Sequence, residues 1–151
     1  MIEEKYRDQA VNIETSIEAI KRTGIKVLAL ADRYAKLMIP LQGNINHVGM
    51  MYAGTLFTLG EIPGGAVFLT SFDTTKYYPI VKEVSIRFRR PALTDVTVEV
   101  SLTPQRVEEM TAELEAKGKV DYGLDLELKD MSGEVVALVS GTWQIRKTPG
   151  A

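Results

Sequence analysis

Apolar and polar positions recur along this chain with two different periods, and each change of period marks an element. Over Glu3–Thr23, Ile13, Ile17 and Ile20 recur at helical spacing. Tyr6 and Ala10 extend that stripe and Gly24 supplies a stop, so the pattern predicts an amphipathic packing helix. Residues 25–41 form two nearly continuous apolar runs, IKVLALA and YAKLMIPL, broken by Asp32-Arg33, and predict two strands covered on both sides. After a polar loop over 42–49, the positions from Met50 to Ile62 are apolar on nearly every side. A helix apolar all round is a buried one, and this run is too short to span a bilayer. Pro63 with Gly64 and Gly65 predicts its end, Ala66–Phe72 a further strand, and Asp73–Lys76 a turn.

Period two then takes over. Ile80, Val84, Ile86 and Phe88 share one parity, and Glu83, Ser85, Arg87 and Arg89 the other. Val96, Val98, Val100 and Leu102 repeat the pattern, which predicts antiparallel strands with one apolar and one wetter face. Residues 104–117 return to helical spacing through Val107, Met110 and Leu114, with Pro104 suited to the first turn and Gly118 just past the end. Val120–Lys129 alternates again, Asp130-Met131-Ser132-Gly133 predicts a hairpin turn, and Glu134–Arg146 the returning strand, with Gly141 and Trp143 on one face. The order is satisfied by an α+β arrangement in which a curved antiparallel sheet wraps a central apolar helix, with an N-terminal and a lateral helix. It divides as an N-terminal helix over 1–24, a core over 25–146 and a tail over 147–151, expected to be disordered, all within one domain.

Composition narrows the chemistry. A net charge of −2 gives no general attraction to nucleic acid or to an anionic membrane. The absence of cysteine excludes disulfides, thiolate metal sites and a covalent thiol intermediate, and a single histidine argues against a His-rich metal site. The first ten residues, MIEEKYRDQA, lack the apolar core of a signal peptide, so a cytoplasmic location is the expectation.

Glu61 stands out against its apolar surroundings, because a buried carboxylate is costly unless paired or hydrogen-bonded. Thr55, Thr58 and Glu61 follow at intervals of three, and Gly54, seven residues before Glu61, shares their face near the helix start. That face offers bare backbone N–H groups at one end and a carboxylate at the other. The plain structural alternative is a buried glutamate satisfied by a neighbouring arginine or amide.

Asn46, the run Tyr52-Ala53-Gly54 and Glu61 together resemble the central-helix signature of hotdog-fold acyl-CoA thioesterases of the phenylacetate-pathway type. That signature runs from a loop Asn through a His-Gly-Gly turn to a helix acid; here Tyr52 stands for the His and Ala53 for the first Gly. The Tyr-Ala-Gly form resembles a less characterised branch of the superfamily, and Ile86–Ala92 looks like its strand end. The resemblance implies a hotdog fold and hydrolysis of an acyl-CoA thioester without a cofactor. It implies Glu61 as general base or nucleophile, Ala53 and Gly54 amides as the oxyanion site, and Asn46 orienting water or carboxylate. Tyr52, His47 and Thr58 fall among the substrate contacts. Arg89 and Arg90 suit the phosphates of coenzyme A, or equally a wet sheet face. In that family the parts come from two chains, which implies a homodimer or a dimer of dimers. Two alternatives stay open. One is a hydratase or dehydratase of acyl thioesters, since His47 precedes Glu61 by 14 residues. The other is a non-catalytic acyl-CoA binder.

Overall fold

In the computed structural model, which describes Met1–Ala151, the apolar run forms one long helix, α3 (Ala53–Leu69), and Pro63 lies inside it. Two expectations change here: the helix does not stop at Pro63, and Ala66–Phe72 is its last turn and the bend after it, not a strand. Proline lacks the N–H that would reach the Leu59 carbonyl, which ordinarily ends or kinks a helix. Packing overrides that local cost. A Cβ on Gly60 would come within 2.6 Å of a Val139 methyl, and one on Gly64 would overlap the Trp143 indole. Pro-Gly-Gly therefore does not punctuate; its first glycine, with Gly60, lets the helix backbone lie directly on a strand. Ala66, Val67 and Phe68 are all buried, and a short apolar run of that kind reads alike as helix or strand.

The sheet has six strands: β1 (Lys26–Ala31), β2 (Tyr34–Ile39), β3 (Tyr77–Phe88), β4 (Val96–Ser101), β5 (Lys119–Asp130) and β6 (Val135–Lys147). Their order is β1-β2-β4-β5-β6-β3, and every neighbouring pair is antiparallel. The sheet curves around α3, and the inward parity of each strand supplies the core: Leu37, Val96, Val98, Leu128, Val139, Ile145. This is the hotdog arrangement. The lateral helix α4 (Pro104–Lys117) begins where Thr103 accepts the Arg106 amide at 3.0 Å and ends at left-handed Gly118. It buries Met110 and Leu114 as the spacing predicts.

Elsewhere the pattern is broken in ways the sequence does not announce. The N-terminal segment is helical in three short pieces, Glu4–Tyr6, α1 (Arg7–Thr15) and α2 (Glu18–Lys21), because Ile17 is extended and turns outward. In β3 a bulge between Val81 and Glu83 shifts the parity. Tyr77 and Pro79 face inward before it, Val84 and Ile86 after it, so Ile80 does not share their face. Of the tail, Lys147 still pairs in β6 and the Thr148 amide donates to the Lys76 carbonyl at 2.7 Å. No helix is long and apolar enough to cross a membrane.

The two sheet edges differ. Residues 1–3 run along β1, with Ile2 bridged in parallel to Leu30 and the Glu3 amide on the Leu30 carbonyl at 3.0 Å. The outer edge of β3 has no neighbour and carries exposed Tyr78, Ile80, Val81 and Phe88.

Candidate active site

The loop before α3 is held by two asparagines. Asn44 donates through Nδ2 to the Thr23 and Pro40 carbonyls, both at 2.8 Å, and its own carbonyl accepts the Tyr52 amide at 2.8 Å. Asn46 accepts the Val48 and Met50 amides on Oδ1 at 2.9 and 3.2 Å, closing a turn in which Gly49 takes a positive φ. The Met51 amide reaches the Ala92 carbonyl at 2.9 Å, which brings the segment after β3 beside this turn. The result is a cavity of about 320 Å³ lined by Asn46, Met50, Ala53, Leu56, Phe88 and the pair Arg89-Arg90. Asn44 is the residue that sequence reasoning passed over. Its neighbour Asn46 carried the resemblance, and Asn44's role depends on carbonyls 21 and four residues away.

At the start of α3 the amides of Thr55 and Leu56 bond to the Tyr52 carbonyl, whereas those of Ala53 and Gly54 have no acceptor in the chain. They point out of the helix end, where the peptide dipoles sum to a partial positive charge. The Tyr52 ring is 59% exposed and folds over Gly54, so closely that a Cβ there would meet Cε2 at 2.5 Å. A side chain at position 54 would turn this exposed ring aside.

Along the helix, Phe57 is exposed and Gly54, Thr58 and Glu61 are half-buried, while the opposite faces are closed by the sheet. Thr58 spends its hydroxyl proton on the Gly54 carbonyl at 2.9 Å, so it has only lone pairs left to offer. Glu61 has no hydrogen-bond or ion-pair partner, and burial alone pushes its carboxyl above the ordinary glutamate range. Arginine pairing, the plain alternative for this residue, is absent. Tyr122 on β5 lies near enough for the Glu61 charge to add to the burial that raises its phenol. Tyr122 and Trp143 pair in register, yet sequence reading left both out of the site; their inward parity was the available signal.

The candidate residues divide into two groups within one chain. Asn46, Ala53 and Arg89-Arg90 meet at the cavity by the helix start, and Glu61 lies seven residues beyond Gly54, about 10 Å along the axis. His47 is exposed on the loop, makes no hydrogen bond and does not line the cavity. Arg90 pairs loosely with Glu134 at 3.5 Å, and Arg89 has no ion pair.

Among families, the model described as a domain of unknown function, DUF4442, matches residues 20–145. The chain belongs to the DUF4442 family. A protein of unknown function from Pseudomonas aeruginosa, described as a probable thioesterase, is 46% identical over 92% of this DUF4442 chain and 93% of its own, with a TM-score of 0.88. A mutant thioesterase from Pseudomonas aeruginosa is 17% identical over 93% and 94% of the two chains, TM-score 0.72. A thioesterase from Haemophilus influenzae is 12% identical over 92% and 90%, TM-score 0.71. The last two share the hotdog fold at identities that speak to fold alone. No curated protein matches the chain.

Proposed function

We propose that this DUF4442 protein is an acyl-CoA thioesterase. One observation carries the reading. On the single open face of a helix otherwise buried, two amides without acceptors and one carboxylate without a donor stand in line. Thioester hydrolysis needs those two functions. The Ala53 and Gly54 amides receive the carbonyl oxygen as it becomes an oxyanion, at the positive end of the helix. Glu61 of the facing chain takes a proton from water as the water oxygen adds to the carbonyl carbon. The C–S bond then breaks, and the thiolate leaves with the proton. Direct attack by the carboxylate, through an anhydride, is the other route its position allows. Asn46 keeps Nδ2 free beside the cavity to orient water or the carbonyl, while Oδ1 braces the loop.

Tyr52 closes the helix end with its ring, and Arg89 and Arg90 meet coenzyme A phosphates. Thr58 and His47 contribute less to this reading than the resemblance implied, the first because its proton is committed, the second because it stands off the cavity. That position of His47 leaves the hydratase alternative without a supporting contact.

The separation of Glu61 from the cavity supports a homodimer in which each chain completes the other's site. The bare β3 edge with its exposed apolar side chains supports it too. Light scattering at low micromolar concentration should give a dimer or a dimer of dimers, and a monomer that turns over substrate would end that part. The decisive experiment is a hydrolysis screen over acyl-CoAs of varied length and aromaticity, run with wild type and Glu61→Gln. Turnover that depends on Glu61 supports the assignment. Tight acyl-CoA binding without turnover would replace it with the non-catalytic binder.

A further inference from the structure

Two polar groups of opposite kind border one turn of α3, and neither has a partner. Trp143 is only 1% exposed, yet its indole N–H has no acceptor. The pyrrole ring of the indole, Nε1 included, lies face-on against Gly64, where any Cβ would overlap it. One helical turn earlier, Glu61 presents a half-buried carboxylate without a donor. Beside the indole, Tyr122 stacks with ring centroids 6.2 Å apart, and its hydroxyl donates to the Gly64 carbonyl at 2.8 Å. The tyrosine proton is therefore committed, and the indole N–H is the free donor in this wall. The other buried unpaired side-chain atoms, on Gln9 and Ser71, lie by the far end of α3.

A buried N–H without an acceptor and a buried carboxylate without a donor each destabilise the fold, and one hydrogen bond between them removes both costs. We propose that Trp143 is a positioning residue whose indole N–H becomes the donor to the Glu61 carboxylate when that half-buried side chain turns toward Gly64, and so holds it ionised. The proposal rests on Glu61 being the hydrolytic carboxylate. Gly64 acquires a purpose in it, since only a residue without a side chain lets the indole reach the helix. Burial is the cause of the Glu61 shift, and the Glu61 charge adds to the burial that raises the Tyr122 phenol. The indole is thus the donor that sets how readily this carboxyl ionises.

The chain has one tryptophan, so a ¹⁵N-labelled sample gives one indole N–H resonance. We expect that resonance to move with the ionisation of Glu61 as pH rises from the ordinary glutamate value of 4.5, and to lose that response in Glu61→Gln. In Trp143→Phe, which keeps a ring and removes the donor, kcat should fall about tenfold with KM changed less than about twofold. The acid limb of its kcat profile should move to higher pH, because losing a donor to the charged form raises a carboxyl pKa. An indole resonance that is the same in wild type and Glu61→Gln across that range overturns the proposal, whether or not Trp143→Phe folds. A folded Trp143→Phe enzyme with wild-type kcat and acid limb overturns it as well. Loss of turnover in Glu61→Gln with an unmoved indole defeats this contact and leaves the thioesterase reading intact. Retained turnover with a moved indole does the reverse.

Discussion

Ala53–Glu61 and Ile62–Leu69 are the two halves of one helix, and they differ in what they leave open. In the second half Ile62, Pro63, Gly64, Ala66, Val67 and Phe68 are buried, and the Gly64 carbonyl takes an extra donor from Tyr122. In the first half Phe57 is open, Gly54, Thr58 and Glu61 are half-open, and two amides and a carboxylate lack partners. Glycine has a different meaning in each. Gly64 admits an indole from the sheet, and Gly54 admits the exposed Tyr52 ring at the helix start. The rigid half fixes where the unsatisfied half points. Unsatisfied groups held on a rigid element are what a site needs if it is to act on substrate and not rearrange around it.

The largest effect should come from Glu61→Gln, which attacks the open half alone. Losing a general base typically costs about 100- to 10,000-fold, so kcat on the best acyl-CoA should fall by that order with the melting temperature held or raised. A folded variant with wild-type kcat would dissolve the contrast, since both halves would then be scaffold. Gly64→Ala attacks the closed half. A methyl there overlaps the Trp143 ring, and overpacking of this kind costs about 2–3 kcal/mol or more, which lowers the melting temperature by roughly 4–12 °C. Calorimetry checks it, and an unchanged melting temperature would mean that the helix can lift off β6 without loss.

A smaller effect is expected at the cavity rim. Arg89→Ala and Arg90→Ala should raise KM for acyl-CoA about three- to tenfold with kcat little changed, and the difference should shrink at high salt. An unchanged KM returns both arginines to the wet face of the sheet, where Arg90 already touches Glu134.

The same contrast explains what the sequence could disclose. The open half was legible because its chemistry is local: a carboxylate in an apolar run, and a small-residue turn at a fixed spacing from it. The strands over 96–101 and 119–147, the hairpin at Asp130–Gly133 and α4 were legible because period and caps agree. The two strands within 25–41 were expected to be covered on both sides, but burial alternates along them and Leu28 is exposed. The closed half was misread because Pro63-Gly64-Gly65 has the local chemistry of a stop, and only the contact of Gly64 with Trp143, some 80 residues on, reverses it. The bulge in β3 hid for a similar reason. Nothing in Val81-Lys82-Glu83 marks where a register slips, so Ile80 was assigned to the wrong face. Asn44 and the Tyr122–Trp143 wall were missed because their partners lie on other elements.

The smallest effect is a test of the half-buried carboxylate through stability. Glu61 has its folded pKa raised above the ordinary glutamate value of 4.5, and the cause is burial. Between those two values the folded state holds a proton that the unfolded chain has released, so stability falls as pH rises through that window. Below the unfolded value the contribution is fully present, and above the folded value it is gone. Asp32, Asp73, Glu99, Asp121 and Asp130 are shifted the opposite way by their hydrogen bonds, so they add stability as pH rises and mask the term in wild type alone. Subtraction isolates it. Across the window from pH 4.5 upward, the stability of Glu61→Gln minus that of wild type should climb and then level off, because glutamine stays neutral where glutamate must ionise. The plateau marks the folded pKa of Glu61. Denaturant titrations at stepped pH measure the difference, and a flat line would mean that Glu61 ionises in the folded protein as freely as in water, so that its carboxylate would be solvated and not half-buried.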